Sequence, residues 1–342
     1  QISAQAALTD ELTVMGQYFL EWDSFRFPEG GTFLGPVDFA FRGPQRQYLG
    51  RAPNGAPIWA YNGGNINPDE RGDFGLGARW SPQWLDGTLG AYYRNYSDKL
   101  PQLLRTKGGL NGQYNLVYAD HISLYGLSLA KNIGGVSVGA ELSYRANTPL
   151  NAVVLGNATA AGVLPGGETA GPRGNTANGL VNVLGVIPKT ELFDAATWAA
   201  ELVWAHLVSV RSGANLFMGE GYAPCAGKDK WDGCTTGNYF GMSAAFTPTW
   251  YQVFPGVDLS APMAIFGGLS GNAPTVFGGN QGNGNYAIGL GADVYQKYRF
   301  DLKYIDYFGH TKDNGTMVTA QNGFTTLLKD RGSVYLTFKT TF

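Results

Sequence analysis

The side chains best suited to chemistry are few and scattered. The three histidines, His121, His206 and His310, fall in different segments, and none sits at a metal-ligand spacing. The run Gly267-Gly268-Leu269-Ser270-Gly271 has its serine in the wrong place for a nucleophile elbow. The glycine-rich run Gly278 to Gly284 lacks the Lys-Ser/Thr pair of a phosphate loop and has no strand–helix unit around it. Lys312-Asp313-Asn314-Gly315 reads as a turn, because no acidic partner follows at calcium-loop distance. Cys225 and Cys234 bracket a polar stretch that reads as a small disulfide-closed loop in an oxidising compartment, with two free thiols as the other reading. A zinc site there would want for further ligands. No cofactor and no catalytic residue is expected.

What remains is a set of charges with a shared position. Glu21, Arg79, Arg94, Glu141, Arg145, Glu201, Arg299, Asp301, Lys303 and Lys339 each occupy the polar row of a segment whose other row is apolar. Rings of such charges can set the selectivity of a pore. The competing reading is a cross-strand network that only holds the wall. That reading weighs more for Glu141, Asp301 and Glu201; pore lining is an even alternative for Arg79, Arg94, Arg145, Arg299 and Lys303.

The elements that would position these charges show a period of two. Val334, Leu336, Phe338 and Phe342 alternate with Ser333, Tyr335, Thr337, Lys339 and Thr341. Tyr298, Phe300, Leu302 and Tyr304 alternate with Arg299, Asp301 and Lys303. Successive strand side chains point to opposite faces, so each segment has one apolar and one polar face. A helix would spiral those charges round its axis. About twelve such segments are expected, at 12–26, 73–81, 88–97, 121–131, 136–146, 195–209, 213–222, 239–247, 257–267, 285–294, 298–308 and 332–342. Their connections alternate short and long, the long ones near 27–72, 98–120, 147–194, 223–238, 268–284 and 309–331. An up-and-down antiparallel transmembrane β-barrel has that rhythm, with tight periplasmic turns and long outer loops. Aromatic pairs such as Trp80 and Trp84, or Trp250 and Tyr251, fall at segment ends, where a membrane interface would hold them.

Composition agrees with this reading. The chain has 342 residues, of which 15% are charged against 44% hydrophobic and 50 glycines. Typical soluble domains carry about 25% charge. The net charge of −2 and the absence of a basic stripe argue against a nucleic-acid partner. No apolar run approaches the roughly 18 residues of a membrane helix. The chain starts at Gln1 without a basic-then-apolar leader, so a processed chain or part of a longer one is expected.

Several stretches carry a resemblance. The end, Val334-Tyr335-Leu336-Thr337-Phe338-Lys339-Thr340-Thr341-Phe342, resembles the assembly signal of bacterial outer-membrane proteins, although Thr340 stands where an aromatic is commoner. Ala7-Leu8-Thr9-Asp10-Glu11-Leu12, the run Leu89 to Pro101, Leu124-Tyr125-Gly126-Leu127-Ser128, and the run Gly139 to Leu150 resemble the proteobacterial family catalogued as domain of unknown function 1302. The resemblance implies the C-terminal portion of an outer-membrane barrel, residues 1–342 forming one transmembrane domain, with further strands in a longer parent. It implies a porin-like channel for small molecules, hydrophobic ones included, surrounded by outer-membrane lipids and lipopolysaccharide. By association it implies a link to an inner-membrane exporter system. Two alternatives stay open: a structural or adhesive barrel with a plugged lumen, and a barrel enzyme of the lipase or protease type. For an apolar cargo, a lateral gap in the wall is expected beside Pro262, since proline removes a ladder hydrogen bond.

Overall fold

A computed structural model describes every residue except 39, 44, 159–170, 314, 316–317, 321–323 and 342. Phe342 and the Gly166-Gly167 pair of the expected 147–194 loop therefore lie outside the described residues. Most of the chain enters one antiparallel sheet of fourteen strands. Its order follows the chain: Ile2–Ala7, Leu12–Tyr18, Phe74–Trp80, Gly87–Tyr96, Ile122–Ile133, Val136–Pro149, Arg173–Ile187, Ala195–Ser212, Asn238–Phe254, then Val257–Ser260 with Met263–Ser270, Gly284–Val294, Tyr298–Phe308 and Ser333–Thr340. Among the described residues, no helix is long and apolar enough to cross a membrane.

Val257–Ser260 and Met263–Ser270 are two halves of one stave. Both pair with the same neighbours, Asn238–Phe254 on one side and Gly284–Val294 on the other. Thirteen staves result, and their connections alternate without exception. The short links are 8–11, 81–86, 134–135, 188–194, 255–256 and 295–297; the long ones are 19–73, 97–121, 150–172, 213–237, 271–283 and 309–332. Strict antiparallel order puts all the short links at one end of the sheet.

The register puts each row on one face, because residues directly opposite share a face. Ala91, Leu127, Leu142, Gly179, Trp204 and Phe240 form one such row. Leu127 is 60% exposed and Leu142 55%, in mid-strand. The next row, on the opposite face, holds Arg79, Gly90, Ser128, Glu141, Leu180 and Val203. Large apolar side chains thus stand exposed along one face, whereas a soluble sheet would bury that face.

Four features depart from the sequence reading. Ile2–Ala7 is an additional edge strand, too short and alanine-rich to show a period. The expected 12–26 segment stops at Tyr18, so Glu21 leaves the sheet. No strand spans 213–222; Gly213 turns with φ 65° into a short 3₁₀ helix at Ala214–Leu216. Instead, Arg173–Ile187, placed in a loop from sequence, is a full stave. Its polar row carries Leu180, Leu184 and Val186 among asparagines, which blurs the alternation.

The long connections fold on themselves. Arg46–Arg51, Pro57–Ile66, Gln102–Lys107, Asn111–Val117 and Gly156–Asn157 make a separate five-stranded sheet. Its core is Leu104 and Val117, with Ala158 and Leu216 packed beside them. Segments from opposite ends of the strand order also meet: Phe27 stacks on Phe41 at 3.7 Å, and both rings lie 5.8 Å from Phe277. Arg331, just before the last strand, donates to the carbonyls of Phe33 and Gly35 at 2.7 and 2.6 Å.

Candidate functional site: the charged face of the sheet

Of the ten sequence-predicted charges, nine sit on the polar face by register, spread over several rows, Glu201 among them beside Asn182 and Ser243; Glu21 lies beyond the end of its strand. Arg79 lies between Thr13 and Gly90 and reaches the Gln5 side chain at 3.4 Å. Glu141 is opposite Ser128 and Leu180. Arg94 and Arg145 share a row with Leu124 between them. Strands are spaced about 4.8 Å apart, so their backbones stand roughly 10 Å apart. Lys303 lies between Gly289 and Tyr335, and Lys339 is opposite Arg299.

Most of these groups are not brought together as ion pairs. The exception is Arg299, whose Nε and terminal nitrogen both donate to Asp301 at 3.0 Å. That local pair, two residues apart on one strand, fits the wall-holding alternative and not a free charge for Arg299. Arg94 does something else. Its guanidinium carbon lies 5.0 Å from the Phe19 ring centroid and 4.9 Å from that of Tyr96. The Nε atoms of Arg94 and Arg145 are both buried without a hydrogen-bond partner.

Above these rows the loops are tied to the wall by residues the sequence did not mark. Arg173 is fully buried. It donates to the carbonyl of Asn147 at 3.0 Å and to that of Asp120, and it lies 3.8 Å from the Asp120 carboxylate. Gln102, also buried, donates to the carbonyls of Leu150 and Pro172 at 2.8 and 2.9 Å. Asp73 caps Ser97 through its backbone N–H and hydroxyl, at 2.9 and 3.0 Å. Asp98 accepts from Leu100 N–H at 3.0 Å. Burial pushes the Asp98 carboxyl above its ordinary range, against the pull of its backbone hydrogen bonds and of Arg145 and Arg173. A buried arginine inside a glycine–asparagine run had no periodic signal by which to be found.

The disulfide is present between Cys225 and Cys234. Its loop is held from below by Asn272, whose amide donates to the carbonyls of Lys230 and Cys234 at 2.6 and 2.8 Å. Lys312 donates to Asp232 at 2.5 Å, and that bond holds the Asp232 carboxyl below the usual range. The histidines lie apart: His121 beside Asp120 at 3.3 Å, His206 accepting or donating at Asn238, and His310 against Trp231.

The lateral gap expected beside Pro262 is overturned. Register is unbroken across it: Ala261 N–H donates to Pro248 O at 3.0 Å, and Gly289 N–H donates to Pro262 O at 2.9 Å. Proline's carbonyl still accepts, and the flanking halves keep the same partners, so the wall continues.

The aromatic residues expected at an interface do cluster at strand ends. Trp80 and Trp84 meet edge-on at 6.0 Å, and Trp250 donates through its indole to the Leu192 carbonyl at 2.7 Å.

A large antiparallel all-β sheet with one exposed apolar face and one charged face defines the class of this protein. The chain belongs to the family described as protein of unknown function DUF1302, whose model matches residues 1–342. No curated protein and no solved structure matches the chain.

Proposed function

We propose that this chain is the wall of an outer-membrane β-barrel that passes small molecules. The observation that carries the reading is the division of faces. Leu127, Leu142, Val181, Leu202, Leu290 and Leu336 stand exposed in mid-strand, while Arg79, Arg94, Glu141, Arg145, Glu201, Arg299, Asp301 and Lys303 occupy the opposite side and the charges on the apolar face, Lys131 and Asp306, sit toward strand ends. Arg or Lys on a lipid-facing surface costs about 2–4 kcal/mol at midplane, so the charged side is the one suited to water. The meeting of Phe27, Phe41 and Phe277, and of Arg331 with the 33–35 backbone, supports curling of the sheet about that charged side.

The chain reconstituted in planar bilayers tests this. Discrete conductance steps are expected. Neutralising Arg79, Arg145 and Lys303 together is expected to shift the reversal potential toward cation preference while heat-modifiable gel mobility persists. A silent bilayer with correctly folded protein would favour the plugged, structural barrel. The five-stranded sheet built by the long connections is the observation on that side.

A further inference from the structure

We propose that a pocket on the charged face, built around Arg94, binds the carboxylate of an organic acid with an apolar body. The inference rests on the pore reading, in that it names the class of cargo. The pocket holds about 560 Å³. Met15, Gln17, Tyr92, Leu124 and Arg94 line it on the polar face, with Gln5 at its end. Gly75 and Gly77 open the floor: a Cβ at Gly77 would come within 3.0 Å of Tyr92 and 3.1 Å of Met15, and one at Gly75 within 2.8 Å of the Gln17 amide. Glycine there lets Met15, Tyr92 and Gln17 lie flat along the wall, which leaves the space above them empty.

The state of Arg94 then selects the ligand. Its guanidinium carbon lies within about 5 Å of the ring centroids of Phe19 and Tyr96, a cation–π contact that takes up none of its hydrogen-bond donors. Among the described residues Arg94 forms no ion pair. Its Nε is buried and unpartnered, whereas its terminal nitrogens are not among the buried, unpartnered atoms. A fork of donors flanked by two rings matches a planar carboxylate in bidentate geometry. Arg145, in the same row, adds a second positive charge roughly 10 Å away across two strand spacings. Met15, Tyr92 and Leu124 give the lining an apolar and aromatic part that suits a hydrocarbon or ring, while Ser3, Gln5 and Gln17 add neutral polar groups and no second charge. An inorganic anion would leave that surface uncovered.

The test uses the full chain in nanodiscs of zwitterionic lipid. The probe is a fluorinated phenylacetate, followed by fluorine NMR, with the neutral fluorinated phenylacetamide and inorganic phosphate as comparisons. The acid is expected to bind, and the amide to bind about tenfold or more weakly, the scale of a charge-assisted hydrogen bond lost. Arg94→Gln is expected to remove the preference for the acid. Arg94→Lys keeps the charge without the fork and is expected to fall between the two. Arg51→Gln, in the separate five-stranded sheet, is the unaffected control. Equal binding of acid and amide, no binding of either, or displacement of the acid by equimolar phosphate would each overturn the site. Binding is read at equilibrium and conductance separately. A conducting channel that ignores the acid therefore defeats only this inference, and a binder that never conducts defeats only the pore.

Discussion

Leu127 and Ser128 are neighbours in one strand, and a single arginine placed at each in turn reads which side meets lipid. Leu127 lies opposite Ala91 and Leu142 and is 60% exposed, so its side chain touches little protein. Leu127→Arg would put a charge where the proposal puts acyl chains, near mid-strand. The cost there is about 2–4 kcal/mol, since the guanidinium must distort the bilayer or snorkel. Ser128 lies on the other face, opposite Gly90 and Glu141, and its hydroxyl meets Tyr92 Oη at 3.4 Å. Ser128→Arg forfeits that long hydrogen bond, worth at most about 1 kcal/mol. It gains a carboxylate directly across the strand, worth roughly 0.2–1 kcal/mol. The net change at Ser128 is near zero. The two variants should therefore differ by roughly 30- to 700-fold in folding equilibrium constant, at tenfold per 1.4 kcal/mol. Guanidinium titration of reversible folding into phosphocholine vesicles measures both. If Ser128→Arg costs as much as Leu127→Arg, or more, the assignment of faces is wrong and the pore goes with it.

Arg173→Met should free the loops it holds. Breaking a buried charge contact by removing one partner costs about 3–5 kcal/mol; hydrogen exchange should show faster opening around Asp120 and Asn147 while the distant strands stay protected. Replacing both Cys225 and Cys234 by serine removes a cross-link of sequence separation 9. Chain entropy puts that at about 2.5–3 kcal/mol, so thermolysin should cut within 214–236 roughly 60- to 140-fold faster, with the sheet untouched. Asp98 should respond to pH in the opposite sense from a paired carboxylate. Its folded pKa is raised, so the native loop loses stability as pH rises from the unfolded value through the folded one, and regains it in acid. Asp98→Asn keeps the acceptor for Leu100 N–H; it should slow proteolysis of 97–121 at neutral pH and make no difference below about pH 4, where free aspartate is protonated. A variant that opens faster at neutral pH would show that the ionised carboxylate is stabilising.

Much of the wall was legible in the chain because a strand writes its two environments into alternate residues. Tyr298–Phe308 is the clearest case, with charges at Arg299, Asp301 and Lys303 between aromatic and aliphatic neighbours, and its bounds match those read from sequence. The rhythm of short and long links was legible outside 147–237, where glycine and proline runs separate the periodic stretches; within it, the strand Arg173–Ile187 was missed and the short link expected before 213–222 is part of a long one. Arg173–Ile187 was not legible. Leu180, Leu184 and Val186 occupy its polar row, so neither face is pure, and only pairing with Val136–Pro149 and Ala195–Ser212 makes it a strand. The 213–222 stretch erred the other way, its apolar residues being loop core: Phe217 is fully buried beneath Tyr222.

The sequence by itself determined which residues share a face, because that follows from a local period and needs no partner. It also determined that the two cysteines could close a loop. Tertiary structure alone decided which groups meet. It set Arg94 over Phe19, far away in the chain. It buried Arg173 against Asp120. It also kept the wall whole at Pro262. The physical reason is that a side chain's direction is a property of its own strand, whereas its partner depends on the register of strands that the chain joins only through long and irregular loops.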